Sequence, residues 1–555
     1  MIRMKKAFFR FRFYLSAGVI LLFLVAATNN EKYFDIARNL DIFATLVKEV
    51  NAYYVDDINP NKMIKTGIDA MLNTLDPYTN YIPEDEIENY RTMTTGMYGG
   101  IGAIIGRRKD KNLILMPYNG FPADKAGLKI GDEILEIDGF DVRKKNTNEI
   151  SKLLKGQAGT KVKLLVLKLG KDKPQTIEFT RERIKIENVP YSGMADKETG
   201  YVQLSEFTAD ASREVRKAIE DLKAKGANKL ILDLRDNPGG LLNEAVNISN
   251  LFIPKDKLVV STKGKVAEWV KEYKALNPPF DTEIPVVVLI SARSASASEI
   301  VSGVIQDYDR GVLVGQKSFG KGLVQTTRPL SYNSQLKVTT AKYYIPSGRC
   351  IQSIDYANRG SDGNAKKVAD SLRVAFKTAS GRVVYDGGGV SPDVEVKREP
   401  QASITTSIIS KDLIFDFASR YFLNHPNGIA PANEFRLSDE EYNDFCNWLK
   451  DKEYDYTTKV ETSIRDLTAA AQKEKYYEEI KDQLEGLKNR MAHNKENDLQ
   501  KHKEEIREVL EQEIVSRYYF EKGIKAASFD DDPEIQEALR ILNDPARYQK
   551  LLSGK

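Results

Sequence analysis

The sequence predicts a multidomain α/β chain, in which an α/β core follows a mostly-β module and both stand between helical N- and C-terminal regions. Three observations predict it. From Ile186 to Lys397 apolar strand-like runs alternate with tight loops and helical spacing. From Gly96 to Lys185 short β-rich runs are punctuated by glycine and Asp-Gly turns. The length of 555 residues, at roughly 100 to 200 per domain, sets an expectation of about three to five domains. Charged residues at 29% and hydrophobic ones at 41% exclude a wholly disordered chain and a polytopic membrane protein.

Residues 1–28 read as a signal peptide or anchor. Arg3, Lys5, Lys6, Arg10 and Arg12 precede the apolar run Phe13 to Ala27, which shows no polar face. Val25-Ala26-Ala27 offers a cleavage site. Left uncleaved, the run is a short anchor and gives membrane association through the N-terminus, although a spanning helix prefers about 20 residues. No cysteine follows it, which excludes a lipid anchor through that residue. Either outcome places the protein as exported. Residues 29–95 form a helical N-terminal segment, since Ile36, Leu40, Phe43, Val47 and Val50 keep helical spacing up to a Pro-containing turn at Asp76-Pro77-Tyr78-Thr79.

Residues 96–185 make the β-rich module, with strands at Leu113–Met116 and Val162–Leu167. Tyr98-Gly99-Gly100-Ile101-Gly102 opens it, and Gly120-Phe121-Pro122-Ala123 leads on to Gly131-Asp132-Glu133-Ile134 and Asp138-Gly139. These strings resemble a PDZ domain. The resemblance implies that Tyr98, Gly99, Gly100, Ile101 and Gly102 offer backbone N–H groups to a peptide's terminal carboxylate, while the peptide adds a strand to the sheet edge. Glycines suit that task because no Cβ stands between the amides and an anion. The Gly100-x-Gly102 pair is no dinucleotide fingerprint, because no clear strand precedes it.

In residues 186–398 the buried strands are Lys229–Leu234 and Pro285–Ile290, each running into a loop and then a helix. Gly315 to Gly322 nearly matches a phosphate-binding loop. Gly322 stands where a magnesium-binding hydroxyl is needed, and a β-like run follows where a helix is required, so nucleotide binding is rejected. The loop Ser291 to Glu299 lies between a strand and a helix, where free amides and the helix dipole stabilise an oxyanion beside a nucleophile. The same string, Ser296-Ala297-Ser298-Glu299, also reads as an ordinary capping box.

A serine nucleophile needs a base. The three histidines, His425, His493 and His502, all lie in the last quarter, which disfavours a Ser-His-Asp triad or a His-rich zinc site in the core. Lys321 is the alternative, a lysine among Phe319, Gly320, Gly322, Leu323 and Val324. To act near neutral pH it must lose roughly 2 to 3 units from about 10.4, which partial burial without an adjacent carboxylate supplies. Cys350 and Cys446 are too few for a disulfide framework. The balance of 83 basic to 80 acidic residues gives no reason to expect nucleic acid.

The strings Asp233-Leu234-Arg235-Asp236-Asn237-Pro238-Gly239-Gly240, Ser294-Ala295-Ser296-Ala297-Ser298-Glu299 and Phe319-Gly320-Lys321-Gly322-Leu323-Val324-Gln325 resemble those of the carboxyl-terminal processing peptidases, the tail-specific serine proteases. Tyr344-Ile345-Pro346-Ser347-Gly348-Arg349 and Gly387-Gly388-Gly389-Val390 extend the likeness. The resemblance implies a ClpP/crotonase-like α/β peptidase core with an inserted PDZ domain, and no cofactor or metal. It implies a Ser-Lys dyad with the serine 25 residues before the lysine and a glutamine four after it, which selects Ser296, Lys321 and Gln325. Ser294 and Ser298 remain competitors for the nucleophile. The oxyanion hole would combine the Ala297 amide with that of Gly239 or Gly240, left open here.

Residues 399–555 read as a solvated helical region with dense Lys and Glu from Glu461 to Lys522. Tyr477, Tyr518, Tyr519 and Phe520 either pack inside it or offer a partner surface. The expected function is an exported serine endopeptidase of the bacterial periplasm, soluble or anchored to the inner membrane, that takes proteins or peptides with accessible C-termini. An adaptor protein and a homo-oligomer are left open as partners. The alternative function is a PDZ-containing scaffold or adaptor with an inactive peptidase domain.

Overall fold

The computed structural model describes residues 33–360, 363–491 and 495–554. The signal or anchor expected at 1–28, and His493, lie outside them. No helix among the described residues is long and apolar enough to cross a membrane. The chain divides into two units, one of residues up to Ile82 with Thr327–Val338, the other of Pro83–Thr326 with Thr339–Lys555.

In the first unit the expected helical segment is two helices, 33–53 and Pro60–Asn73. Asn59 breaks it, because its carboxamide caps the Lys62 N–H at 3.0 Å and Pro60 starts the second helix without needing a donor. The Asp76-Pro77 turn is closed by the Asp76 carboxylate, which accepts the Tyr78 and Thr79 N–H groups at 2.8 Å each. Strand Asn80–Ile82 then pairs antiparallel with residues 335–337.

In the second unit the β-rich module is a sheet in the order 103–108, 111–117, 133–137, 161–167, 175–180, around Ile114, Leu128, Ile134, Ile150 and Leu164. Residues Met97–Gly100 pair with Glu182–Lys185 in a separate two-stranded ribbon where the chain enters and leaves the module.

The core is a six-stranded sheet of β1 (Tyr191–Met194), β2 (Thr199–Gln203), β3 (Lys229–Asp233), β4 (Val286–Ile290), β5 (Val312–Gly315) and, after several strands of other sheets, β8 (Val394–Glu395). The order is β1-β2-β3-β4-β5-β8, parallel except at β1. Two of the strands between, β6 (Leu323–Pro329) and β7 (Gln335–Tyr344), belong to a second sheet, in which Ala341–Tyr344 of β7 pair with Ser261–Gly264. Every residue of β4 is buried. Such a run needs both sheet faces covered.

The crossover helices α1 (Ala211–Ala224), α2 (Leu242–Phe252) and α3 (Ala297–Asp307) cover one face, where Val215, Ile219, Ile248, Ile300 and Val304 pack on Leu230, Leu232, Val286 and Val288. The other face, Tyr201, Ile231, Val287, Leu289, Val312 and Val314, is covered from the end of the chain. There α6 (Pro533–Leu542) brings Ile535, Ala538, Ile541 and Leu542, and α7 (Pro545–Ser553) brings Tyr548. The expectation of one solvated helical tail is thus corrected. Residues 404–527, with α4 (Leu413–Asn424) and α5 (Lys503–Ala527), hold their own core, but the last two helices complete the core sheet. Of the expected surface aromatics, Tyr518 packs on that helical core and stacks edge-on with Phe422 at 5.1 Å, while Phe520, at φ 55°, kinks α5.

Candidate active site

The site forms where β3 and β4 end, because parallel strands deliver their loops to one edge. The β4 loop turns into α3 at Ser296, whose φ of 56° and ψ of −111° lie outside the ordinary regions for an L-residue. Such a backbone costs of order 1–3 kcal/mol and persists only where the surroundings enforce it. The surroundings here are named. Ala295 donates its N–H to the Asn237 carbonyl at 3.0 Å, and the Ser298 hydroxyl donates to the same oxygen at 2.9 Å. Asp236 accepts the Ser291 hydroxyl at 2.9 Å and Arg293 Nε at 2.8 Å, so the β3 and β4 loops are stitched at both ends.

These bonds separate the serines. The Ser291 hydroxyl serves Asp236, Ser294 donates to the Leu234 carbonyl at 2.7 Å, and Ser298 serves Asn237. Ser294 and Ser298 are fully buried. The Ser296 hydroxyl makes no capping bond. The expected capping box is present, with the Glu299 N–H facing the Ser296 side chain but bonded to the Ser296 carbonyl at 2.9 Å, and Glu299 Oε2 accepting the Ser296 N–H at 2.9 Å.

Glu299 does more than cap. Its fully buried carboxylate accepts four donors: Ser296 N–H and Lys321 N–H on Oε2 at 2.9 and 2.8 Å, and the Ser318 hydroxyl and Gly320 N–H on Oε1 at 2.5 and 2.7 Å. Burial pushes its carboxyl above the usual range against the pull of those donors. The segment carrying Lys321 is thereby tied to the segment carrying Ser296. Glu299 thus adjoins Lys321 through the backbone N–H of the lysine. Lys321 is half-buried and Phe319 is exposed, so the lysine loop is less enclosed than its composition suggested. Gly389 closes the loop from behind, where a Cβ would fall 2.7 Å from the Ser318 carbonyl oxygen. β6 follows Gly322 as a strand, as the rejection of a phosphate loop requires. Gln325 on β6 donates from Nε2 to Thr339 Oγ1 at 3.2 Å.

Between the two glycines, position differs. A Cβ on Gly239 would meet Ala297 N at 2.8 Å and Ser296 Cβ at 2.9 Å, whereas one on Gly240 would meet the Phe207 carbonyl oxygen at 2.4 Å. Gly239 therefore stands against the nucleophile loop. Its N–H donates to Asn237 Oδ1 at 2.8 Å.

In the β-rich module, Tyr98, Gly99 and Gly100 are strand residues of the ribbon rather than a loop, with Tyr98 opposite Ile184. Only Ile101 and Gly102, at φ 71°, form the loop at the head of edge strand Ala103–Arg108. Their carbonyls accept the N–H groups of Ala123 and Tyr118 at 2.8 Å each. The other edge of that strand lies beside helix Thr147–Leu154.

Sequence reading missed the charged cluster beneath the β3 loop. Asp233 is forked to Arg235, which also reaches Asp532 and Glu534 at 2.8 Å. Burial alone would raise the Asp233 carboxyl. The Arg235 guanidinium overcomes that and, with Lys525 and the Tyr201 hydroxyl, holds it well below the usual range. A cavity of about 910 Å³ opens here, lined by Asp236, Arg293, Arg398, Glu508, Lys525 and Asp531 among others, and neither Ser296 nor Lys321 lines it.

Comparison with known proteins agrees with this architecture. Residues 198–357 match peptidase family S41, residues 117–168 a PDZ domain, and residues 404–542 the C-terminal helical domain of probable PDZ-proteases. The carboxy-terminal-processing protease of Bartonella bacilliformis is 38% identical over 356 residues, which cover 63% of this chain and 80% of that protein. A probable CtpA-like serine protease of Staphylococcus aureus is 35% identical over 316 residues, 56% of this chain and 62% of that protein. The structure of a photosystem II D1 C-terminal processing protease aligns with a TM-score of 0.35 at 25% identity, covering 67% of this chain and 96% of that one.

Proposed function

Because this chain belongs to the carboxy-terminal-processing serine proteases of peptidase family S41 and carries their PDZ domain, we propose that it is an exported endopeptidase working through a Ser296–Lys321 dyad. The observation that carries the nucleophile is the division of labour in one loop. Ser291, Ser294 and Ser298 spend their hydroxyls on the frame, and Ser296 sits strained at the head of α3 with its hydroxyl left out of the cap. Lys321 is the base that the same frame brings in, through Glu299.

In this reading Lys321 takes the Ser296 proton as Oγ attacks the scissile carbonyl. The proton then passes to the leaving amine, and water resolves the acyl-enzyme with Lys321 again as base. The N-terminal amide of α3, at Ala297, faces the developing oxyanion. Gly239 is the better-placed second donor, and its N–H must turn from Asn237 to serve. Gln325 supports Lys321 from β6. The PDZ edge strand with Ile101 and Gly102 takes the substrate's C-terminal residues by strand addition. Export, to the periplasm of a bacterium, rests on the basic and apolar residues 3–27.

Cleavage of an unfolded protein with an apolar C-terminus tests the reading. Ser296→Ala and Lys321→Ala should each abolish turnover while leaving C-terminal peptide binding intact. Undiminished cleavage by either variant contradicts the dyad. A parent protein that binds the peptide but never cleaves it would favour the scaffold.

A further inference from the structure

The segments carrying Ser296 and Lys321 meet twice. Their N–H groups converge on Glu299 Oε2, and their carbonyls converge on one atom of a third segment. That atom is the Tyr343 hydroxyl, near the end of β7, 2.5 Å from the Lys321 carbonyl oxygen and 3.1 Å from that of Ser296. The ring is 1% exposed, and the Tyr343 N–H donates to the Gly322 carbonyl at 3.0 Å, so both ring and backbone are fixed.

We propose that Tyr343 is a positioning residue of the peptidase, whose hydroxyl sets the spacing between the Ser296 and Lys321 backbones. The inference rests on the dyad reading above. Its physical content lies in an asymmetry between the two carbonyls. The Ser296 carbonyl already accepts the Glu299 and Ile300 N–H groups at 2.9 and 3.0 Å, which anchor it to the first turn of α3. Lys321 lies in a loop between β5 and β6, outside any helix or strand. A phenol has one proton to donate, and its shorter contact is to Lys321. The hydroxyl therefore ties the Lys321 carbonyl to β7, which also holds Gly322 through the Tyr343 N–H, and sets it beside the Ser296 carbonyl that the helix holds still, 3.1 Å from the same oxygen.

The test is Tyr343→Phe in the full chain, which keeps the buried ring and removes only the donor. Displacement of a reacting group by a fraction of an ångström to about 1 Å costs up to roughly 100-fold in rate. The expected result is kcat lower by about 10- to 100-fold with KM within about twofold of the parent. The rate at which a fluorophosphonate phosphonylates Ser296, with loss of fluoride, should fall by the same factor, counted per folded molecule from circular dichroism at low temperature. A parental kcat and phosphonylation rate in Tyr343→Phe, with Ser296→Ala and Lys321→Ala inactive, would overturn the positioning role and leave the dyad standing. So would a raised KM at unchanged kcat, or a loss matched entirely by the unfolded fraction. If Ser296→Ala or Lys321→Ala cleaves at the parental rate, the dyad fails and the role of Tyr343 falls with it.

Discussion

The two faces of the core sheet are equally dry and are built in opposite ways. One is roofed by α1, α2 and α3, each entering from the strand before it, and its third helix carries Ser296 at its head. The other is roofed by α6 and α7, and Ile535 reaches Val287 across 248 residues of sequence. The difference teaches that chemistry and closure are separate tasks here. The crossover face holds the groups proposed to react, while the tail face lets a parallel sheet with apolar residues on both sides exist in water.

The largest effect should come from removing the tail roof. Deleting residues 531–554 uncovers Tyr201, Ile231, Val287, Leu289, Val312 and Val314 together. The expected outcome is an insoluble protein without a cooperative melting transition, measured by the soluble fraction and circular dichroism. A soluble, active truncation would break the comparison. A smaller lesion sharpens it. Ile535→Ala and Ile300→Ala remove equal side chains from opposite roofs, and each should cost about 2–5 kcal/mol in denaturant unfolding. Only Ile300→Ala, one turn from Ser296, should also lower kcat per folded molecule. Equal kcat losses in both would show that the faces are not separable.

The smallest effect concerns pH. Asp233, beneath the tail face, is held by Arg235 below its ordinary pKa of about 3.9, so its contribution is complete above that value. It is lost as pH falls through the depressed native value. Melting temperature should therefore drop on acidification below about pH 4, and Asp233→Asn should flatten that part of the curve while lowering stability at pH 7. An unchanged slope in Asp233→Asn would remove this cluster from the account.

How much of this could be read in advance follows the same division. The run Val286–Ile290 announced a strand buried on both faces, and the Ser291–Glu299 string announced a corner leading into a helix, because local periodicity and capping carry that information. What covers the second face is a contact between distant residues. Pro533 and Pro545 mark helix starts in the sequence, but nothing local says where Ile535 and Tyr548 point. The same limit hid Glu299 as a clamp. Its S-x-x-E spacing correctly signals a cap, yet Lys321 and Ser318 reach the carboxylate only through the fold. Tyr343 left no motif at all. Asn59-Pro60 did carry a local signal, a cap followed by a first-turn proline, and it was overridden by apolar spacing that continues across the break.

The most direct test of the central claim is to find which residue of the Ser291–Ser298 loop is the nucleophile and what activates it. The protein is labelled with a fluorophosphonate and the adduct located by peptide mass spectrometry, in parent and in Lys321→Ala. The account predicts an adduct on Ser296 alone, formed at least about 100-fold more slowly without the lysine. An adduct on Ser294 or Ser298, or labelling of Ser296 that is indifferent to Lys321, would contradict it.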